Sequence, residues 1–192
     1  MKILLVGNPN VGKSVLFSRL TGARVIASNY PGTTVSFTKG RFLFLGINGE
    51  LIDAPGTYSL NPTSKAEEVA VDLIKDADIV INVIDATNIE RNLFLTMEII
   101  YNVKKPLIVV LNMWDETKHR GIEIDIAKLR EMLGVEIVAT CGLTGEGIAE
   151  LIHKIKIAKI PQVERKDIWA FIGTIVSSVQ KLHHRHHTFF DV

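Results

Sequence analysis

Hydrophobic positions along this chain alternate between two rhythms. "KILLV" (2–6), "IVINVID" (79–85), "PLIVVLN" (106–112) and "VEIVAT" (135–140) are short, nearly continuous apolar runs, the pattern of parallel strands buried on both faces. Between them apolar residues recur at helical spacing over 13–22, about 65–76, 89–102, 124–133 and 145–157, which predicts helices. Gly22 closes the first of these as a stop signal. "SFTKGRFLFL" (36–45) and "GELID" (49–53) read as two strands, and the Asn48-Gly49 pair predicts their hairpin turn. Strands alternating with helices predict an α/β fold, a mostly parallel sheet with helices on both faces. The 36–53 hairpin adds an antiparallel edge.

The pattern changes near Pro161. "KIPQVERKD" (159–167) has the composition of a linker. After it, Ile168, Phe171, Ile172, Ile175, Val176, Val179 and Leu182 fall on one stripe of a helix predicted over 168–182. The expected division is a main domain over 1–158 and a linker with helical extension over 159–192.

Composition narrows the class. A chain of 192 residues fits one domain with an appendage. With 47% hydrophobic and 22% charged residues it is globular, not disordered. A formal net charge of +1 argues against a dedicated nucleic-acid binder. The single cysteine, Cys141, excludes an internal disulfide framework and fits a reducing compartment. The first apolar stretch is too short for a secretory signal, and no run of membrane-spanning length occurs. The expectation is a soluble, cytosolic piece.

Four motifs carry chemistry, in order. "GNPNVGKS" (7–14) fits the G-x-x-x-x-G-K-[ST] phosphate loop, with a strand ending at Val6 and a helix starting near Lys13. Its residues Gly7, Asn8, Pro9, Asn10, Val11, Gly12, Lys13 and Ser14, with Val15 following, are the expected phosphate cradle. Lys13 is placed to reach the β- and γ-phosphates and Ser14 to ligate Mg²⁺. "DAPG" (Asp53, Ala54, Pro55, Gly56) ends a strand where ligands of such sheets bind. Asp53 is a candidate Mg²⁺ holder, and the Gly56 amide a γ-phosphate donor. "NMWD" (Asn112, Met113, Trp114, Asp115) offers a carboxylate to the guanine N1–H and 2-amino group, donors that adenine lacks on that edge. Asn112 is expected to brace neighbouring loops. "TCG" (Thr140, Cys141, Gly142) brings a Gly142 amide toward the guanine O6, with Cys141 read as a small buried residue.

The ordered set GNPNVGKS, Thr34, DAPG, NMWD and TCG resembles the translation-factor-type GTPases of the Ras-like superfamily. "NYPGTTV" (29–35), "DAPGTYSL" (53–60) and "VIDATNIERNLFLTMEI" (83–99) are similar to segments of FeoB, the bacterial and archaeal ferrous-iron transporter family, over about residues 1–157. Tyr30, Thr33, Ala54 and Trp114 depart from the family's usual residues. The resemblance implies a Ras-like P-loop fold and binding of GTP and GDP. It makes Thr34 the switch threonine that closes on Mg²⁺ and γ-phosphate, with Gly32 and Thr33 beside it. It implies that Asn10 coordinates K⁺, together with switch carbonyls near Asn29–Gly32.

Many relatives place a glutamine directly after D-x-x-G, where this chain has Thr57. No water-orienting role is assigned to Thr57. Arg19 and Arg24 are expected on the helix and the loop after it, away from the phosphates. By that resemblance, a K⁺ held by Asn10 is expected to fill the place of the absent groups. Asn8 is expected to brace the loop by a hydrogen bond, and Pro9 to occupy a position that needs no N–H. The expected catalytic set is therefore Lys13, Asn10, Thr34 and Gly56.

The implied function is slow, K⁺-stimulated GTP hydrolysis regulating ferrous-iron uptake, through a membrane permease domain of the same polypeptide and on the cytoplasmic face of the inner membrane. No nucleic acid partner is expected, and oligomerisation of this head is left open. Two alternatives remain: a stand-alone GTPase for ribosome or tRNA work, and a nucleotide-gated binding module with negligible hydrolysis. "HHRHHTFFD" (183–191) resembles a stretch before the first membrane helix of some members. Its His183 and His187 are readable either as metal ligands on a helix face or as a polar interfacial run.

Overall fold

The computed structural model describes residues 1–21 and 25–183. The stop signal Gly22, Arg24 and the histidines His184, His186 and His187 lie outside the described residues. Among the described residues seven strands form the main sheet: β1 (Lys2–Val6), β2 (Val25–Asn29), β3 (Ser36–Phe44), β4 (Ile47–Asp53), β5 (Ile79–Asp85), β6 (Leu107–Asn112) and β8 (Glu136–Ala139), in the order β2-β3-β4-β1-β5-β6-β8. A second sheet pairs β7 (Ile122–Ile124) with β9 (Gln180–Leu182). The helices are α1 (Lys13–Thr21), α2 (Lys65–Asp76), α3 (Ile89–Asn102), α4 (Trp114–His119), α5 (Ile126–Leu133), α6 (Ile148–Ile155) and α7 (Ile168–Val179).

Strand alternation explains why the apolar runs are continuous. Successive side chains point to opposite faces, and both faces are covered. Leu4, Val6, Val80, Val109 and Leu111 join one core with residues of α2, α3, α5 and α7. Ile3, Leu5, Ile81, Ile108 and Val110 join the other with α1 and α6. β4, β1, β5, β6 and β8 run parallel, so their carboxyl ends, and the loops carrying the motifs, emerge along one edge.

Three details differ from the pattern reading. The hairpin turns at Leu45-Gly46, where φ is 50° and 79°, and Phe44 pairs with Ile47. Two consecutive positive φ values make the two-residue turn whose twist matches the flanking strands. Asn48 and Gly49 lie inside β4, and a Cβ on Gly49 would stand 2.6 Å from the Met1 carbonyl oxygen. The antiparallel strand β3 is not the outermost one, because β2 pairs outside it. Finally, the helix after Asp167 stops at Val179, and Gln180–Leu182 form β9 instead of a last helical turn.

The segment after Pro161 packs back onto the sheet's helical layer. Asp167 caps α7 by accepting the Ala170 N–H at 2.8 Å, and Phe171, Ile172, Ile175 and Val179 are buried against α3 and α5. Among the described residues no helix is long and apolar enough to cross a membrane.

Candidate guanine-nucleotide site

The phosphate loop wraps the end of β1. Lys13 is buried, and its ammonium donates to the carbonyls of Gly7 at 3.3 Å and Asn8 at 3.1 Å. Burial holds the Lys13 pKa below its ordinary value, opposed by the nearby Asp53 carboxylate. Ser14 Oγ donates to Asp53 Oδ2 at 2.6 Å, so the first and second motifs meet directly. Asp53 is itself buried, and burial raises its pKa, against the Ser14 hydrogen bond and the Lys13 charge. Its other oxygen, Oδ1, is buried with no partner among the described residues. A hydroxyl and an under-bonded carboxylate side by side are hard oxygen donors of the kind Mg²⁺ takes, so these residues fit that ion.

Gly56 lies against the loop. A Cβ there would stand 2.9 Å from Pro9 Cγ and 3.0 Å from its backbone nitrogen, so only glycine keeps this approach. The next amide, Thr57 N, donates to Gly7 O at 3.1 Å. Ala54 is buried, Pro55 half-buried. The Thr57 side chain is fully buried and donates its hydroxyl to Ser59 O at 2.8 Å, turned away from solvent.

The guanine motifs are tied together by Asn112. Its Nδ2 donates to Val11 O at 2.9 Å, and its Oδ1 accepts from Thr140 Oγ1 at 3.0 Å and from Gly142 N at 3.1 Å. One buried amide thus joins the phosphate loop to the 140–142 loop. The Gly142 N–H, read in the sequence as aimed at a base, is held here by Asn112. Gly12 has φ of 87°, and a Cβ on it would stand 2.3 Å from Asn112 Nδ2. Around this brace is a cavity of about 260 Å³ lined by Gly12, Val15, Met113, Asp115, Cys141 and Gly142 among others. Trp114 is partly buried against the core, and its backbone N–H donates to Thr140 O at 3.1 Å.

The remaining candidates are less gathered. Asn10 is exposed with φ of 66°, a conformation asparagine tolerates better than most residues. Asn8 is 4% exposed, yet its Oδ1 has no partner among the described residues. The hydrogen bond expected of Asn8 is not made by this oxygen, whereas Asn112 makes the bracing bonds expected of it. Thr33 closes the 30–35 turn, its hydroxyl donating to Tyr30 O at 3.0 Å and accepting from Val35 N at 3.2 Å. Gly32 and Thr34 are exposed on that turn. Arg19 serves the base side: its Nε donates to Gly142 O at 3.0 Å, and Nη2 to Leu143 O.

A second cavity, of about 210 Å³, lies against the outer face of the phosphate loop, with Asn8, Pro9, Asn10, Tyr58, Asp85 and Arg91 in its lining. The sequence reading missed Arg91, and also Glu98, which is 6% exposed on α3. The signals were present: a carboxylate inside the apolar run "TMEII", and a cation in the first turn of a helix, where the dipole disfavours it.

The sequence of residues 1–155 matches the family model described as ferrous iron transport protein B. The chain belongs to that family, FeoB. A fusion of Fe(2+) transport protein A with Fe(2+) transporter FeoB from Porphyromonas gingivalis is 40% identical over 158 residues, 81% of this chain but 19% of that protein. The chain therefore spans about a fifth of this curated FeoB relative. Among solved structures, the cytosolic domain of L. pneumophila FeoB superposes with a TM-score of 0.85 at 32% identity, covering 94% of this chain and all of that one. The cytosolic domain of T. maritima FeoB in its GMPPNP form gives a TM-score of 0.80 at 39% identity, covering 87% and 69%. The fold is that of the FeoB G domains, a mostly parallel sheet flanked by helices. Membership sets aside the ribosome- or tRNA-associated alternative.

The histidine run has one described member. His183 follows β9, outside any helix, with its backbone N–H donating to Gly121 O at 2.8 Å and its ring Nε2 2.9 Å from Glu123 Oε2. Among the described residues no group of three or more histidine, cysteine and acidic side chains is placed to hold a metal ion.

Proposed function

We propose that residues 1–158 bind and hydrolyse GTP, as the cytosolic G domain of a longer ferrous-iron transporter whose ion passage they regulate, on the cytoplasmic face of the inner membrane. Residues 159–192 lead on toward its membrane permease part. The observation that carries the reading is the convergence of Lys13, the Ser14–Asp53 pair and the Asn112-braced cavity beside Asp115 at one sheet edge. The GMPPNP and GDP forms of the T. maritima domain support it.

The roles follow from the chemistry of each group. Asp115 accepts from the guanine N1–H and 2-amino group, and the Asn112 brace sets the distance from base to phosphates. Thr140, Cys141 and Gly142 form the far wall of the base pocket. Lys13 neutralises charge on the β- and γ-phosphates, while the Gly56 amide donates to the γ-phosphate. Ser14, Asp53 and, on closure of the 30–35 turn, Thr34 hold Mg²⁺. Asn10 offers a carbonyl oxygen to K⁺. The two cations supply positive charge against the charge developing on the phosphates, the work that an arginine finger does at about 10³–10⁵ in rate elsewhere.

A second reading is a nucleotide-gated module with negligible hydrolysis. It is favoured by Thr57, which stands where many relatives have a glutamine and whose hydroxyl is fully buried and donated to Ser59 O. Single-turnover GTP hydrolysis in Na⁺ and in K⁺ separates the two. Hydrolysis is expected to be slow in Na⁺ and faster in K⁺, with the K⁺ effect lost in Asn10→Ala. Equal rates in the two salts would remove the cation role, and no hydrolysis in either would leave the binding module.

A further inference from the structure

The segment after Gly56 is held from two sides. On one side, Gly56 packs on Pro9 and Thr57 N donates to Gly7 O at 3.1 Å. On the other side stands α3. The Arg91 guanidinium lies 5.0 Å from the centre of the Tyr58 ring. Seven residues further, Glu98 Oε2 accepts the Leu60 N–H at 2.7 Å, and its Oε1 accepts Asn61 Nδ2 at 3.4 Å. A spacing of seven puts Arg91 and Glu98 on one face of the helix, two turns apart.

Neither residue is explained by helix stability. Arg91 sits in the first turn of α3, where a cation meets the positive end of the helix dipole. Glu98 is a carboxylate buried to 6% exposure, and burying a charge is costly unless hydrogen bonds compensate it. Both side-chain bonds given above come from the 57–61 segment. If that segment left α3, Glu98 would lose them while still lodged in the protein's interior. The segment therefore has a defined resting place, and α3 specifies it.

We propose that Arg91 and Glu98 are positioning residues for the reaction: through Tyr58, Leu60 and Asn61 they hold the segment so that the Gly56 amide stands ready at the phosphate loop. This rests on the reading of the site as a GTP site. Its consequence is selective. GDP has no terminal phosphate to meet Gly56, so the clamp favours the triphosphate over the diphosphate. It also assigns a use to Arg91 and Glu98 of the "VIDATNIERNLFLTMEI" segment, which the nucleotide motifs leave without one.

The test uses the 192-residue chain and the variants Glu98→Gln, Arg91→Ala and Arg91→Lys. Affinities for fluorescent GDP and for GMPPNP are measured, with single-turnover GTP hydrolysis in K⁺. Glu98→Gln keeps shape and one acceptor but turns an amide NH₂ toward a donor. Loss of one charge-assisted bond predicts that GMPPNP affinity and the single-turnover rate each fall about tenfold, with GDP affinity changed by less than about twofold. Arg91→Ala should behave alike, and Arg91→Lys should retain most of the wild-type preference, since ammonium also sits over aromatic rings. Unchanged GMPPNP and GDP affinities in both Glu98→Gln and Arg91→Ala would overturn the clamp. So would an equal loss for the two nucleotides, which marks general structural damage. If the unaltered chain hydrolyses no GTP, the hydrolytic reading fails on its own, and the GMPPNP-to-GDP affinity ratio still decides the clamp.

Discussion

Replacing Asn112 by alanine removes three hydrogen bonds at once. Asn112 is 3% exposed, and its partners Val11 O, Thr140 Oγ1 and Gly142 N lie 2.9, 3.0 and 3.1 Å away. All three partners belong to buried residues, so water does not readily replace the lost amide. At about 1 kcal/mol net per bond, the loss comes to about 3 kcal/mol. A chain of this size has a urea dependence of about 2–3 kcal/mol per molar, so the unfolding midpoint should fall by about 1 M with an unchanged slope. Urea titrations followed by tryptophan fluorescence and far-UV circular dichroism measure this, and coincident curves justify the two-state treatment. The same variant should bind GDP more weakly, because the phosphate loop and the 140–142 loop are no longer fixed to each other. A midpoint shift below about 0.3 M would refute the idea that this amide holds the two loops together.

Asp53 gives a prediction with a definite sign. Burial raises its folded-state pKa above the ordinary 3.8, so the native state holds the proton more tightly than the unfolded chain. Its contribution to stability therefore declines as pH rises from about 4 through the raised value, and the deficit persists at neutral pH. Asp53→Asn should melt higher than wild type at pH 7 without nucleotide, with the difference vanishing at acid pH, and should lose Mg²⁺-dependent hydrolysis; a lower melting temperature at pH 7 would contradict the burial argument. Asp115→Asn should lower GTP affinity by about a hundredfold or more and gain affinity for xanthosine nucleotides. Unchanged GTP binding would count against the guanine assignment.

Arg91 and Glu98 show what kind of information the sequence withholds. Each is a single charged residue in a helix, with no motif around it that names a partner. Their meaning comes from Tyr58, Leu60 and Asn61, which are 33 to 38 positions away in the chain and brought close by α3 packing on the sheet. The hairpin turn was misplaced for a related reason. Asn-Gly is the stronger local turn signal, but a turn at Asn48-Gly49 would shift the pairing of β3 with β4, and the register that buries Phe42 and Leu51 places the turn at Leu45-Gly46. Strand β2 carried no core pattern to be read, since Val25 and Ile26 are exposed. Likewise β9 exists only because β7 lies beside it.

The chain's own order of residues determined the parallel core strands, the helices between them and the nucleotide motifs. Each of these depends on local periodicity, or on backbone and side-chain chemistry within a few residues. The candidates Lys13, Ser14, Asp53, Asn112 and Asp115 are all named in this way. Tertiary structure decided which of them touch: Ser14 with Asp53, Asn112 with Val11 and Gly142, Gly56 with Pro9. It also decided that the Asn8 side-chain oxygen finds no partner among the described residues, while Asn112 makes the bracing bonds expected of it. Contacts between distant segments follow from strand order and burial, and a local pattern holds no record of either.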